Sequence, residues 1–168
     1  MSQAGDPAPR LAVPGPLLYL TEPARAVVDA GLLTSTAPLL GMLPRGDGHP
    51  VLVLPGLGAG DPATFVLRRV LRRQGYRSHG WGLGVNLGPT QRTRDGLAAR
   101  LDELTDRYQT PISLVGWSLG GLYAHQLSWH RTESVRQVIT LGSPLRLGAS
   151  LVSQLDNDAA APDLSDFP

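Results

Sequence analysis

Two short, mainly apolar runs constrain the fold of this chain more than any other feature. Residues 51–55 read VLVLP and residues 111–115 read PISLV. Neither run alternates with polar residues, which is typical of strands buried on both faces of a parallel sheet. Residues 76–83 and 135–142 have weaker apolar patterns, and we predict a strand in each. The sequence therefore predicts four strands.

Helical patterns separate these strands. Apolar residues recur at helical spacing in 63–74, 91–109 and 119–130, and the first of these helices has four arginines on its other face. The resulting order, β-α-β-α-β-α-β with short connections, predicts an α/β fold with a doubly wound, mainly parallel sheet.

Composition narrows the class of protein. The 168 residues are 42% hydrophobic and 17% charged, with a net charge of +1. These are values of a globular chain, and they give no electrostatic reason to expect a nucleic acid as partner. The chain has no cysteine, which excludes disulfides and thiolate sites. We expect no cofactor and no metal.

The chain is expected to have three parts. Residues 1–47 are predicted to be a Pro-rich leader and a helix, 48–144 the α/β core, and 145–168 a flexible tail. The N-terminus lacks a charged region followed by an unbroken apolar one, so we predict no signal peptide and a cytoplasmic location. No apolar stretch is long enough for a transmembrane segment.

The motif G-x-S-x-G lies between the third strand and the third helix. It consists of Gly116, Ser118 and Gly120, separated by Trp117 and Leu119. Glycines allow a sharp turn that exposes a serine nucleophile at a helix N-terminus, where backbone N–H groups favour negative charge. The N–H of Leu119 is then a candidate oxyanion donor. The alternative is a turn of small residues in which the serine only caps the helix.

A glycine-rich loop, LPGLGAGD (54–61), follows the first strand. Acyl transfer needs a second backbone donor for the oxyanion, and this loop is placed to supply it. A dinucleotide fingerprint is the rival interpretation. It fits poorly, because Asp61 stands where a third glycine is needed and no acid lies about 20 residues further on. A phosphate loop is excluded because no Gly-Lys-Ser/Thr follows.

Together, GHPVLVLPG, GWGLGVNLGPT, LVGWSLGG and VRQVITLGSP resemble the α/β-hydrolases, most closely bacterial lipase- and esterase-like members. The resemblance covers about 48–144. It implies that Ser118 is the nucleophile, and that the N–H groups of Leu57 and Leu119 form the oxyanion hole. It also implies the strand order 76–83, 51–55, 111–115, 135–141. Pro55 stands where many lipases have a histidine.

In this family the acid and the histidine of the triad follow the serine, on later loops. The four histidines here all lie elsewhere. His49 precedes the first strand, at the edge of the sheet opposite the carboxyl ends of the strands. His79 lies within a strand, and His125 and His130 lie along the helix after the serine. The tail offers only acids: Asp156, Asp158, Asp163 and Asp166. We therefore expect the triad partners to be absent, through truncation, through degeneration or because another chain supplies them.

The predicted function is that of a truncated serine hydrolase of the esterase or lipase type. It would act on small-molecule or lipid carboxylic esters through an acyl-enzyme. The alternative is a non-catalytic remnant or a binding module on the same sheet. Trp117 and Trp81 are candidates for an acyl pocket, and Trp81 fits core packing equally well. The fourth strand would form an unprotected sheet edge, which favours self-association.

Overall fold

The computed structural model describes residues 44–143. The chain divides into two units, Met1–Met42 and Leu43–Pro168, and the described residues belong to the second. The predicted leader and helix within residues 1–43 lie outside the described residues, as does the predicted tail at 145–168. The three-part division of the chain therefore stays a prediction.

The described residues contain one four-stranded parallel sheet. Its strands are β1 (Pro50–Leu54), β2 (Arg77–Gly80), β3 (Ile112–Trp117) and β4 (Val135–Leu141), in the spatial order β2-β1-β3-β4. This is the strand order that the resemblance implied. Leu54 pairs with Gly116, so β1 and β3 end side by side at the carboxyl edge of the sheet.

Three α-helices connect the strands: α1 (Phe65–Arg73), α2 (Gln91–Tyr108) and α3 (Leu119–His130). A short 3-10 helix, Thr132–Ser134, leads into β4. The Thr90 side chain caps α2 by accepting a hydrogen bond from the Thr93 N–H at 3.1 Å.

Alternate residues of the strands supply two separate hydrophobic cores. Leu52, Leu54, Ile112 and Leu114 pack on one face of the sheet with residues of α2 and α3. Val51, Val53 and Val115 pack on the other face with Leu67 and Leu71 of α1 and with Tyr76. Helices on both faces confirm the predicted doubly wound α/β class. They also explain why the strands are apolar without alternation.

Some predicted boundaries differ from the observed ones. Helix α1 begins at Phe65 instead of residue 63, because residues 61–64 form turns. Val66, one of the apolar residues of α1, is 41% exposed. Strand β2 is only four residues long, since the chain leaves the sheet after Gly80. None of these differences changes the topology.

No helix within residues 44–143 has the length and apolarity needed to cross a membrane.

Candidate active site

Ser118 occupies the turn between β3 and α3. Its backbone angles are φ 51° and ψ −119°, a left-handed conformation that residues with a side chain rarely adopt. Strand β3 ends at Trp117 and α3 begins at Leu119, so a single residue makes the whole change of direction. This is the strand–turn–helix arrangement that the G-x-S-x-G motif predicted.

Close packing explains the two glycines of the motif. A Cβ atom added to Gly116 would overlap the backbone of Gly120 and Gly121. A Cβ added to Gly120 would lie 2.7 Å from the carbonyl carbon of Leu54 and 2.8 Å from the Pro55 oxygen. Helix α3 therefore begins in direct contact with the end of β1, and only glycine fits at either position.

Hydrogen bonds to the end of β4, to Ser143 and within α3 hold the turn in place. The Ser118 N–H donates to the Leu141 carbonyl at 2.9 Å. The Ser118 carbonyl accepts from the Ser143 hydroxyl at 2.8 Å and from the Gly121 N–H at 3.0 Å. All three bonds use backbone atoms of Ser118. Its partly exposed side-chain hydroxyl has no hydrogen-bond partner among residues 44–143.

The glycine-rich loop after β1 lies beside this serine. A Cβ atom added to Gly56 would be 3.3 Å from Ser118 Cβ and 3.9 Å from Ser118 Oγ. Within the described residues, the N–H groups of Leu57 and Leu119 donate no hydrogen bond. The structure thus brings the predicted nucleophile next to the loop that carries one predicted oxyanion donor, and the other donor directly follows the serine.

Two polar side chains that sequence reasoning missed hold this loop. The Asp61 carboxylate accepts from the N–H groups of Trp81 and Gly82 at 3.0 and 3.1 Å, which ties the loop to the end of β2. The fully buried Asn86 donates from Nδ2 to the Pro55 carbonyl at 2.9 Å. From the sequence, Asp61 indicated only that the loop does not match a dinucleotide-binding motif, because it replaces the third glycine.

The two tryptophans that were candidates for an acyl pocket differ in exposure. Trp81 is 1% exposed in the core, and its indole Nε1–H donates to the Gly84 carbonyl at 2.9 Å. Trp81 is therefore a packing residue. Trp117, which directly precedes Ser118, is 46% exposed.

None of the four histidines forms a hydrogen bond with Ser118 in the described part of the chain. The Nε2 atom of His79 lies 2.9 Å from the Tyr108 hydroxyl. His125 packs against Trp129 with 4.7 Å between ring centroids, two turns into α3. His130 is exposed at the end of α3, and His49 precedes β1.

His49 belongs to an Asp-His-Ser arrangement, away from Ser118, that the sequence did not reveal. Its Nδ1 contacts Asp47 Oδ1, and its Nε2 lies 2.8 Å from Ser113 Oγ. Hydrogen bonding to His49, and then to Arg136, holds the pKa of the Asp47 carboxyl well below its usual range. Ser113 is only 1% exposed, and its hydroxyl also accepts from Gln137 Nε2 at 3.3 Å. A serine so enclosed cannot reach a substrate, so this network ties strands together instead.

A cavity of about 250 Å³ lies between α2 and α3. Its lining includes Gln91, Arg94, Tyr123, Leu127 and Arg131, and it contains none of Ser118, Leu57 and Leu119. Within residues 44–143, no three His, Cys, Asp or Glu side chains lie close enough together to hold a metal ion.

Solved structures similar to this chain include the lipase BlEst2 of Bacillus licheniformis. Its mature form matches with a TM-score of 0.50 and 24% identity, over 70% of this chain and 50% of the lipase chain. Its propeptide form matches with a TM-score of 0.48 and 24% identity, over 60% and 23% of the two chains. No protein-family model and no curated protein matches the sequence.

The described residues form part of an α/β-hydrolase-like fold. The chain spans about half the length of the mature lipase. At 24% identity the likeness shows the fold alone.

Proposed function

We propose that this chain carries the nucleophile and the oxyanion hole of a serine ester hydrolase of the esterase or lipase type. The observation that carries the proposal is the backbone of Ser118. A serine held at φ 51° and ψ −119° costs about 1–3 kcal/mol, and such strain clusters at active sites. A serine that only capped a helix would not need this conformation, and Ser118 makes no side-chain capping bond.

The proposed reaction follows from the groups around Ser118. Its Oγ attacks the carbonyl carbon of a carboxylic ester, and the carbonyl oxygen becomes an oxyanion that accepts hydrogen bonds from the N–H groups of Leu57 and Leu119. The C–O bond to the alcohol then breaks, and the alcohol leaves with a proton. Water hydrolyses the remaining acyl-serine, which releases the acid and restores the hydroxyl.

Exposed apolar side chains near the serine favour an ester with an apolar acyl group. Leu57 is 66% exposed on the loop, and Trp117 is 46% exposed beside Ser118. A Cβ added to Gly88 would lie 3.9 Å from Leu57 Cδ1, so the loop with the 82% exposed Leu87 adjoins the same region. Burial of these side chains against an acyl chain would stabilise the bound ester.

The proton of Ser118 needs a base that residues 44–143 do not place beside it. All four histidines of the sequence lie within residues 44–143, so in the proposed enzyme the catalytic histidine comes from outside these 168 residues. The acid comes from outside residues 44–143 or from another chain. Without the histidine and the acid, we expect Ser118 and the oxyanion hole to retain only about 10³–10⁴-fold acceleration over the reaction in water, as in serine hydrolases that have lost a triad member. The same observation favours the second candidate, a non-catalytic remnant or binding module on this sheet.

A serine-directed fluorophosphonate separates these two functions. We expect slow covalent labelling of Ser118, because the oxyanion hole still stabilises the transition state when the base is missing. The label is detected as an added mass on the intact protein and located by peptide mapping. The Ser118→Ala variant must lose this labelling, while Ser128→Ala, a control on the same helix, must keep it. Absence of labelling on the wild-type chain, or labelling that survives in Ser118→Ala, would favour the non-catalytic function.

A further inference from the structure

Asn86 lies in the loop between β2 and α2, within the stretch GVNLGPT (84–90), and is completely buried. Its side chain makes three hydrogen bonds. Nδ2 donates to the Pro55 carbonyl at 2.9 Å, and Oδ1 accepts from the Gly88 N–H at 3.1 Å and from the Tyr123 hydroxyl at 3.3 Å. A buried polar residue with this many partners has a single favourable placement.

The chemistry of the partners fixes the orientation of the amide. The Pro55 carbonyl can only accept, so it must face the NH₂ group of Asn86. The Gly88 N–H can only donate, so it must face Oδ1. Burial raises the pKa of Tyr123 to about 12, which keeps its hydroxyl protonated and able to donate. A rotated amide would break these bonds inside the protein.

On one side, Asn86 forms hydrogen bonds with the loop that carries Leu57. Its side chain binds the carbonyl of Pro55, two residues before Leu57. Its backbone carbonyl accepts from the Gly58 N–H, and its backbone N–H donates to the Ala59 carbonyl, both at 2.8 Å. Leu57 therefore lies between Pro55 and Gly58, and both of these residues are hydrogen-bonded to Asn86.

On the other side, Asn86 contacts the helix that carries Leu119. Tyr123 lies four residues after Leu119 on α3, about one helical turn away. Its hydroxyl bond to Asn86 Oδ1 links the helix to the same amide that holds the loop. One side chain thus spans the two segments that supply the oxyanion donors.

We propose that Asn86 is a positioning residue that sets the separation between the N–H groups of Leu57 and Leu119. The inference rests on the proposed function, because the separation matters only if an oxyanion forms there. Both donors must lie about 2.7–3.1 Å from the oxyanion, so a small shift of the loop weakens one bond. Asn86 touches no substrate and acts through the loop and the helix.

The test measures the rate constant of fluorophosphonate labelling at saturating probe, together with the final labelled fraction. Asn86→Ala removes all three side-chain bonds, and we expect about a 100-fold lower rate, comparable to the loss of one oxyanion donor. Tyr123→Phe removes only the hydroxyl bond, and we expect about a 3- to 10-fold lower rate. Tyr108→Phe is the matched control, because its hydroxyl contacts His79 instead, and it should label at the wild-type rate.

The rate and the fraction separate positioning from general destabilisation. A positioning role lowers the rate constant while the labelled fraction still reaches completion. A merely structural role lowers the fraction of folded, reactive protein and leaves the rate of that fraction unchanged. If Asn86→Ala does not fold, Tyr123→Phe decides between the two.

Amide hydrogen exchange distinguishes failure of the inference from failure of the proposed function. We expect faster exchange at Gly58 in Asn86→Ala, since the loop loses its side-chain anchor. Wild-type rates of labelling in both variants would overturn the positioning role and leave the proposed function standing. Absence of labelling in the wild-type protein would overturn both, whatever the exchange at Gly58 shows.

Discussion

At the scale of single residues, the turn at Ser118 is where the described part of the chain, residues 44–143, departs furthest from local conformational preference. Its ψ of −119° at positive φ belongs to a region that glycine occupies without strain. Contacts at Gly116 and Gly120 and the bond to the Leu141 carbonyl keep Ser118 there. The neighbouring structure thus stabilises a conformation that Ser118 alone would avoid.

Replacing Ser118 by glycine should therefore relieve strain. We expect the free energy of unfolding of Ser118→Gly to exceed that of Ser118→Ala by about 1 kcal/mol, since relief of strain outweighs the greater unfolded-state entropy of glycine. Both variants lack the hydroxyl, so the comparison isolates the backbone. Urea unfolding followed by circular dichroism measures it.

Ser128 provides the matched pair, because it lies within α3. The free energy of unfolding of Ser128→Ala should exceed that of Ser128→Gly by about 1 kcal/mol, because alanine has the higher helix propensity. If Ser118→Ala also has a higher free energy of unfolding than Ser118→Gly, the strain that we assign to the turn is contradicted.

At the scale of elements, His79 joins β2 to α2 through its contact with the Tyr108 hydroxyl. Burial, and then the positive charges of Arg100, Arg107 and Arg72, lower the pKa of His79 from 6.5. Burial also lowers the pKa of His125 on α3. Both imidazoles are therefore harder to protonate in the folded chain than in the unfolded one.

Stability should consequently depend on pH through these two histidines. Above about pH 7.5, one unit above the unfolded pKa of 6.5, both are neutral in either state, so their protonation does not reduce stability. Below it the unfolded chain binds protons first, so the free energy of unfolding should fall between pH 7.5 and 5. Urea unfolding at several pH values measures the slope, and His79→Gln should reduce it. A slope in His79→Gln equal to that of the wild type would contradict the assignment.

Tyr108→Phe provides the control, because it removes the hydroxyl contact while His79 stays buried. Its slope should remain close to that of the wild type. The carboxyl groups with lowered pKa values, Asp47 and Glu103, titrate below this range and do not interfere.

At the scale of the whole described unit, β4 lies at the edge of the sheet with β3 as its neighbour. Ile139 and Leu141 pair with Val115 and Trp117, which places them on the same face of the sheet as α1. They are 44% and 40% exposed in the structure of residues 44–143. An apolar edge strand of this kind is a template for pairing with another chain.

Self-association through this edge stays our prediction for the purified chain. We expect sedimentation velocity to show concentration-dependent species larger than a monomer, and the Ile139→Lys variant to shift toward the monomer because a charge on an edge strand opposes pairing. Val66→Lys, at a similarly exposed position on α1, should sediment as the wild type does. A wild-type chain that stays monomeric at high concentration would contradict the prediction.

The fold was predictable because its signals are local. The apolar runs at 51–55 and 111–115 and the helical spacing between them identify buried parallel strands without knowledge of long-range contacts. The position of Ser118 in a turn between strand and helix was predictable for the same reason, since the motif and its strand–helix context lie in one stretch. The end of β2 was less predictable, because Asp61 draws the backbone of Trp81 and Gly82 out of the sheet.

The sequence alone determined the α/β class, the order of the elements and the place of Ser118, through periodicity and a contiguous motif. Only the tertiary structure decided that Asn86 links the loop of Leu57 to helix α3, and that His49 meets Ser113 across 64 residues. Such contacts depend on the register of strands and the approach of loops that are distant in sequence. A single polar residue carries no periodic signal, so its partners become known only when the backbone brings them together.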